Sequence, residues 1–188
     1  AHVGLATELA AAGERAGARV EQEAALALRP DYAPALYGLG VLAQEDGRRD
    51  EAIELYRKAL ASLPGLAAAE LNLGGLLAQS GNVVGAAQCF ERVLALDPEH
   101  ADARTNLAQL LFAMGEPEAA RVELERVVAV HPAHGTAWVV LGELAEARGD
   151  HVAALAALER GLAGPRRLDA ARLLCWILAS AAEAELRE

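Results

Sequence analysis

Lysine is almost absent from this sequence: Lys58 is the only one. Acidic residues number 27 against 17 basic ones, for a formal net charge of −10. Nucleic acid and anionic membrane surfaces both need clustered cations, so neither is expected as a partner. Aromatic residues make up 4% of the chain although 54% of it is hydrophobic. Alanine and leucine, both strong helix formers, must therefore supply the core. β-Branched residues never alternate over a strand's length, which argues against any sheet. No apolar run approaches the ~20 residues of a membrane span, and no signal peptide opens the chain. The chain starts at Ala1 rather than Met, so it reads as a fragment or a processed form. Serine occurs only at Ser62, Ser80 and Ser180, none in a nucleophile elbow. The glycines follow helical segments, not strands, so no phosphate-binding loop is expected. These absences predict no enzyme, no cofactor and no membrane insertion. Cys89 and Cys175 read as small apolar residues of a reducing compartment, and the expected location is cytoplasmic.

What is present is a period. Gly13, Gly47, Gly81, Gly115 and Gly149 recur every 34 residues, as do Ala18, Ala52, Ala86, Ala120 and Ala154. Pro30, Pro64, Pro98 and Pro132 share the interval. Each residue has a mechanical role in a helical hairpin. The glycine ends the first helix, where a left-handed C′ residue is cheap only without a Cβ. The proline stops the second helix, because it lacks an N–H and clashes with the preceding turn. The alanine sits where the two helices cross and lets their backbones approach. Leu39-Gly40, Leu73-Gly74, Leu107-Ala108 and Leu141-Gly142 pair a core residue with a small one that receives the neighbouring helix. Tyr56, Phe90, Leu124 and Leu158 are the matching large residues of the second helices. One hairpin cannot bury both its faces, so its neighbours must stack on it.

At these residues the chain resembles the tetratricopeptide repeat family, in its bacterial type. Ala35–Pro64, ALYGLGVLAQEDGRRDEAIELYRKALASLP, carries the pattern most fully. The resemblance implies an all-α superhelix, a solenoid of about five hairpins plus a C-terminal helix. As one domain over 1–188, its repeats would be about 1–32, 33–66, 67–100, 101–134 and 135–167, followed by the helix 168–188. First helices are expected over Pro34–Asp46, Ala68–Ser80, Asp102–Met114 and Thr136–Arg148. The first repeat departs from the pattern, with Ala6 for its glycine and Gln22 for the aromatic. The fifth has Gly161 where alanine is usual, and Pro165 arrives one residue early.

The family binds proteins, and the resemblance implies a protein-interaction scaffold whose first helices line a concave groove. The alternative is an accessory, substrate-presenting segment of a larger enzyme, such as a glycosyltransferase, sulfotransferase or hydroxylase. At ~100° per residue, the face opposite the core carries Tyr37, Val41 and Gln44 in the second repeat. In the third it carries Leu71, Asn72 and Gln79. In the fourth it carries Thr105, Asn106, Gln109 and Phe112, and in the fifth Val139 and Glu143. These faces hold no lysine or arginine, so the family's clamp for a terminal carboxylate is not expected. A peptide that is apolar with some positive charge fits them better. Asn72 and Asn106 occupy one place in adjacent repeats, and an amide can both donate to and accept from a peptide backbone. Such asparagine ladders are known in the family's glycosyltransferase relatives. Gly38 and Val140 interrupt it here, and the alternative is that each asparagine is solvated or bonds within its hairpin.

His131 and His134 have a spacing that suggests a metal pair, but they lie in an inter-repeat turn without a third ligand, so no metal is expected. The segment Arg172–Ser180, RLLCWILAS, is apolar almost all round. Its residues Trp176 and Ile177 are expected to meet a second copy of the chain, or the second half of a sixth hairpin.

Overall fold

The protein was analysed as a computed structural model that describes residues 2–11 and 13–185. Those residues form eleven helices: α1 (His2–Ala11), α2 (Arg15–Leu28), α3 (Ala33–Glu45), α4 (Arg49–Ser62), α5 (Ala67–Gln79), α6 (Val83–Leu96), α7 (Ala101–Ala113), α8 (Pro117–Val130), α9 (Gly135–Ala147), α10 (His151–Gly161) and α11 (Arg167–Glu185). No strand occurs among the described residues. The expected first helices are present, each beginning and ending one residue early. The last three residues assigned to the C-terminal helix, 186–188, lie outside the described residues, as does Ala1 of the first repeat. The chain falls into two compact units, Ala1–Leu96 with α1–α6 and Asp97–Glu188 with α7–α11.

Each hairpin closes in the same way. The five glycines have φ of 81, 75, 80, 83 and 74°. The next residue donates its N–H back five positions, from Glu14 to Leu9 (2.8 Å), Arg48 to Ala43 (2.8 Å), Asn82 to Leu77 (2.9 Å), Glu116 to Leu111 (2.9 Å) and Asp150 to Ala145 (3.0 Å). The glycine's own N–H bonds the carbonyl three residues back. Together these are the two bonds of a Schellman motif, and they satisfy helix-end carbonyls that would otherwise have no partner. At the other ends, α2, α4, α6 and α8 each stop two residues before a proline. That fits the steric bias of the pre-proline residue toward extended backbone.

Between the helices of a hairpin the small residues act as expected. Ala52, Ala86, Ala120 and Ala154 are fully buried, and Ala18 nearly so. A Cβ added at Gly40 would stand 2.6 Å from the Tyr56 ring, and one at Gly74 2.6 Å from the Phe90 ring. At Gly142 it would lie 2.6 Å from Leu158. The glycine therefore makes a socket for the large residue of the second helix. Tyr56, Phe90, Leu124 and Leu158 are all buried in such positions. Burying side chains of this size contributes about 1.5–3 kcal/mol each, which is why the crossings hold the hairpins shut.

The ends of the array depart from this plan. In the first hairpin Gln22 takes the place of the aromatic and is 5% exposed. In the fifth, Gly161 and Gly164 let the turn before α11 lie against α9. A Cβ on Gly164 would lie 2.6 Å from the Gly135 Cα, so two backbones touch there. α11 then packs through Ala170 and Ile177 into a cluster with Val139, Ala145, Ala154 and Leu158.

Candidate functional site

In the first unit the predicted groove residues gather around a network the sequence reading did not foresee. Tyr56 crosses from α4 and donates its hydroxyl to Gln44 Oε1 at 2.8 Å. The Asn72 amide donates to the same hydroxyl at 3.2 Å and to the Tyr37 hydroxyl at 3.4 Å. The two tyrosine rings lie 5.8 Å apart, tilted by 37°. Burial pushes the Tyr56 phenol up to about 12, against the lowering effect of the Asn72 bond. The signal was present in the sequence: a tyrosine where the next repeats have Phe90 and Leu124 needs a partner for its hydroxyl. Asn72 is thus held within the fold by its N–H group. Among the described residues nothing donates to its Oδ1.

The remaining candidates divide. Val41 and Leu71 are half-buried, and Gln79 is exposed and accepts from Arg49 at 3.4 Å. Asn106 and Gln109 are half-buried, with no side-chain hydrogen bond among the described residues. Phe112 is half-buried and packs on the cluster of Ala108, Leu124 and Val140. Thr105 and Val139 are corrections to the expected face. Thr105 is 1% exposed, and its hydroxyl has no partner among the described residues. Val139 is fully buried, because its Cγ2 would stand only 2.7 Å from a Cβ at Gly161. Neither offers a side chain to a ligand.

The charge of this face also changes. Arg166, just before α11, reaches Glu143 at 2.9 Å. Glu146 bonds His151 at 2.9 Å, Asp102 bonds His134 at 3.0 Å, and Glu45 lies 3.4 Å from Arg15. Glu143 and Glu45 are therefore paired with arginines, while Glu146 and Asp102 are hydrogen-bonded to histidine rings. His134 and His100 are N-caps: their Nδ1 atoms accept from Ala137 N at 3.2 Å and Ala103 N at 3.4 Å. Among the described residues no three His, Cys, Asp or Glu side chains gather as metal ligands.

Cys89 is buried beside Arg92, whose guanidinium donates to its Sγ at 3.3 Å and to the buried Glu70 at 2.6 and 2.8 Å. Burial first, and then the Glu70 carboxylate, push the thiol up to about 12. A protonated, enclosed thiol is a poor nucleophile. Cys175 is exposed on α11. Of the pair expected to mediate self-association, Trp176 is 56% exposed but Ile177 is 2% exposed. Ile177 is a correction: it faces α9 and α10, and Leu178, 57% exposed, stands on the outer face instead. Among the described residues no helix is long and apolar enough to cross a membrane.

Comparison with known proteins agrees with the hairpin architecture. Sequence models described as tetratricopeptide repeat match residues 3–67 and 42–101, 77–139, and 135–160. No curated protein matches the sequence. Among solved structures, pilF of Pseudomonas aeruginosa is similar with a TM-score of 0.82 and 22% identity, over 98% of this chain and 84% of that one. MamA matches with a TM-score of 0.71 and 24% identity, over 84% of this chain and 92% of that one. YrrB, described as a TPR protein with an unusual peptide-binding site, matches with a TM-score of 0.70 and 22% identity, over 91% and 89%. With the helical hairpins, their glycine closures and these matches together, the chain belongs to the tetratricopeptide repeat family.

Proposed function

We propose that the chain is a protein-interaction scaffold that holds an extended segment of a partner against the exposed faces of its first helices. The observation that carries this reading is the state of the asparagine positions. Asn72 is fixed by two tyrosine hydroxyls with its carbonyl oxygen unused, and Asn106 is half-buried with no bond among the described residues. Half-buried amides with spare hydrogen-bonding capacity suit a peptide backbone. The likeness to YrrB, whose own description includes a peptide-binding site, supports the same class of ligand. Because Glu143 and Glu45 are paired with arginines, apolar and amide contacts supply most of the affinity. The net charge of −10 favours a cationic partner mainly through its rate of approach. Cytoplasmic location remains part of this reading.

The test is selection of peptides from a random library on the chain, followed by titration calorimetry. Replacing Asn72 and Asn106 together with alanine is expected to weaken a selected peptide by about 1–3 kcal/mol. Unchanged affinity would remove the amides from the site. Self-association through α11 belongs to the same proposal and rests on the exposure of Trp176 and Leu178. Light scattering is expected to show a dimer that Trp176→Glu disrupts; a monomer at high concentration ends that part.

A further inference from the structure

We infer that the first hairpin carries a receptor for one aliphatic residue of an extended peptide, with the Gln22 amide reading that residue's main chain. This deepens the peptide-binding reading above and rests on it. A cavity of about 300 Å³ opens between α1, α2 and α3, with Val3, Ala6, Thr7, Gln22, Tyr37 and Val41 among its walls. The walls are mainly apolar. Thr7 donates its hydroxyl to the Val3 carbonyl at 2.9 Å, and Glu45 at the rim lies beside Arg15. Gln22 is different. It is 5% exposed, its Oε1 is buried, and that oxygen has no hydrogen-bond partner among the described residues.

The placement of this amide follows from the repeat. Tyr56 contacts Asn72, sixteen positions on, and Gln22 stands in the same relation to Gly38. A Cβ at Gly38 would lie 2.3 Å from the Gln22 Nε2. The Gln22 amide therefore rests over the position where the later repeats carry Asn72 and Asn106. The second helix of the first hairpin supplies the amide that Gly38 lacks. A leucine or phenylalanine at this crossing would bury no unsatisfied oxygen, as Leu124 and Phe90 show. An orphaned buried acceptor is unfavourable unless something donates to it. A peptide group is the matching occupant: once the Gln22 amide turns about its last side-chain bond to bring Oε1 to the cavity, the peptide N–H can serve Oε1 while its C=O accepts from Nε2. The volume is at the small end for ligand pockets, which run from about 300 Å³ upward. It admits one aliphatic side chain with its flanking peptide groups, and the apolar walls disfavour a charged one.

The test uses the full chain with isotope-labelled methyl groups and side-chain amides. The probe is N-acetyl-leucine N-methylamide, and the control is N-acetylglycine N-methylamide. The leucine probe is expected to give saturable NMR shifts at the Val3 and Val41 methyls and at the Gln22 amide, at least about tenfold stronger than the glycine control. Gln22→Met keeps the shape of the side chain and removes the amide. It is expected to raise the thermal midpoint and to weaken the leucine probe about tenfold, equivalent to ~1.4 kcal/mol. Equal binding of probe and control, unchanged binding by Gln22→Met, or shifts confined to other residues would each overturn the proposal. Peptides selected from a random library separate the two readings. If they lose affinity in the double asparagine variant while the leucine probe fails at Gln22, the groove reading stands and this one falls.

Discussion

The first two hairpins share a backbone plan and differ at one crossing. Both bury an alanine, Ala18 and Ala52, and both close on a positive-φ glycine. In the second, Tyr56 fills the Gly40 socket and its hydroxyl is shared by Gln44 and Asn72. In the first, Gln22 fills less space and its oxygen bonds nothing. The same position thus serves two ends. A large residue with a satisfied polar tip fills its crossing, whereas a smaller one leaves an acceptor unsatisfied, the feature on which the proposed receptor rests.

The comparison can be broken at several points. The largest expected effect is at a fully packed crossing: Phe90→Ala should destabilise by about 3–5 kcal/mol in urea unfolding. Gln22→Ala should have a far smaller effect, since it also removes a buried unsatisfied oxygen. Similar losses at the two sites would mean that the first crossing is as tightly packed as the third. Next come the alanines. Ala86→Leu and Ala120→Leu should overpack their crossings by about 1–3 kcal/mol, measured by denaturant or thermal unfolding. Wild-type stability in both variants would contradict the close approach of the helices.

Two glycines of the third hairpin should respond with opposite signs. Gly81 has φ 80° and Gly75 sits in helix α5, and neither would bring a Cβ within 4 Å of a neighbour. Gly81→Ala is expected to lose roughly 1–2 kcal/mol to left-handed strain alone. Gly75→Ala should gain about 0.5–1 kcal/mol from helix propensity. A calorimetric midpoint that moved the same way in both would show that backbone conformation does not decide the outcome.

The last effect is electrostatic and appears mainly at alkaline pH. The Tyr56 pKa is raised from 10.0 to about 12, so the folded state holds its proton more tightly than the unfolded chain does. Its contribution is fully present below pH 10 and is lost as pH rises from about 10 to 12. Cys89, raised from 9.0 to about 12, adds a loss that starts near pH 9. Tyr56→Phe should cost about 0.5–1.5 kcal/mol at neutral pH. It should also flatten the alkaline decline measured by thermal melts, leaving the Cys89 part. An unaltered alkaline slope would mean that Tyr56 does not titrate across the transition.

The hairpins were legible because their determinants are local. A glycine at C′ and a proline after a helix each act within a few residues of themselves, and an alanine at a crossing acts within its own hairpin and recurs at a fixed period. The candidate groove was legible only as far as its own helices decide it. Tyr37, Val41, Gln44 and Asn72 could be placed on one face by angle alone. Val139 could not, because what covers it is Gly161 of α10 and the α11 residues Ala170 and Ile177. Ile177 failed for a related reason: angles show that six apolar residues go right round a helix but not which side a neighbour takes. The pairing of Arg166 with Glu143 spans 23 residues and two helices, beyond the reach of a face-by-face reading.

The five turn closures bear on how freely the surface can change. Each uses main-chain N–H and C=O groups alone, so the residue after the glycine is chosen by nothing in the turn itself. Glu14, Arg48, Asn82, Glu116 and Asp150 occupy that place. Asn82 and Asp150 accept from Gly85 N and Ala153 N at 3.0 Å, and Arg48 pairs with Asp46 at 2.8 Å and with Glu51. An exhaustive substitution scan would therefore read out the architecture as a rhythm. One intolerant glycine would recur every 34 residues, followed at Glu14 and Glu116 by a permissive position where new surface chemistry could be written without disturbing the hairpin beneath, and at Asn82 and Asp150 by one that tolerates only another side-chain acceptor.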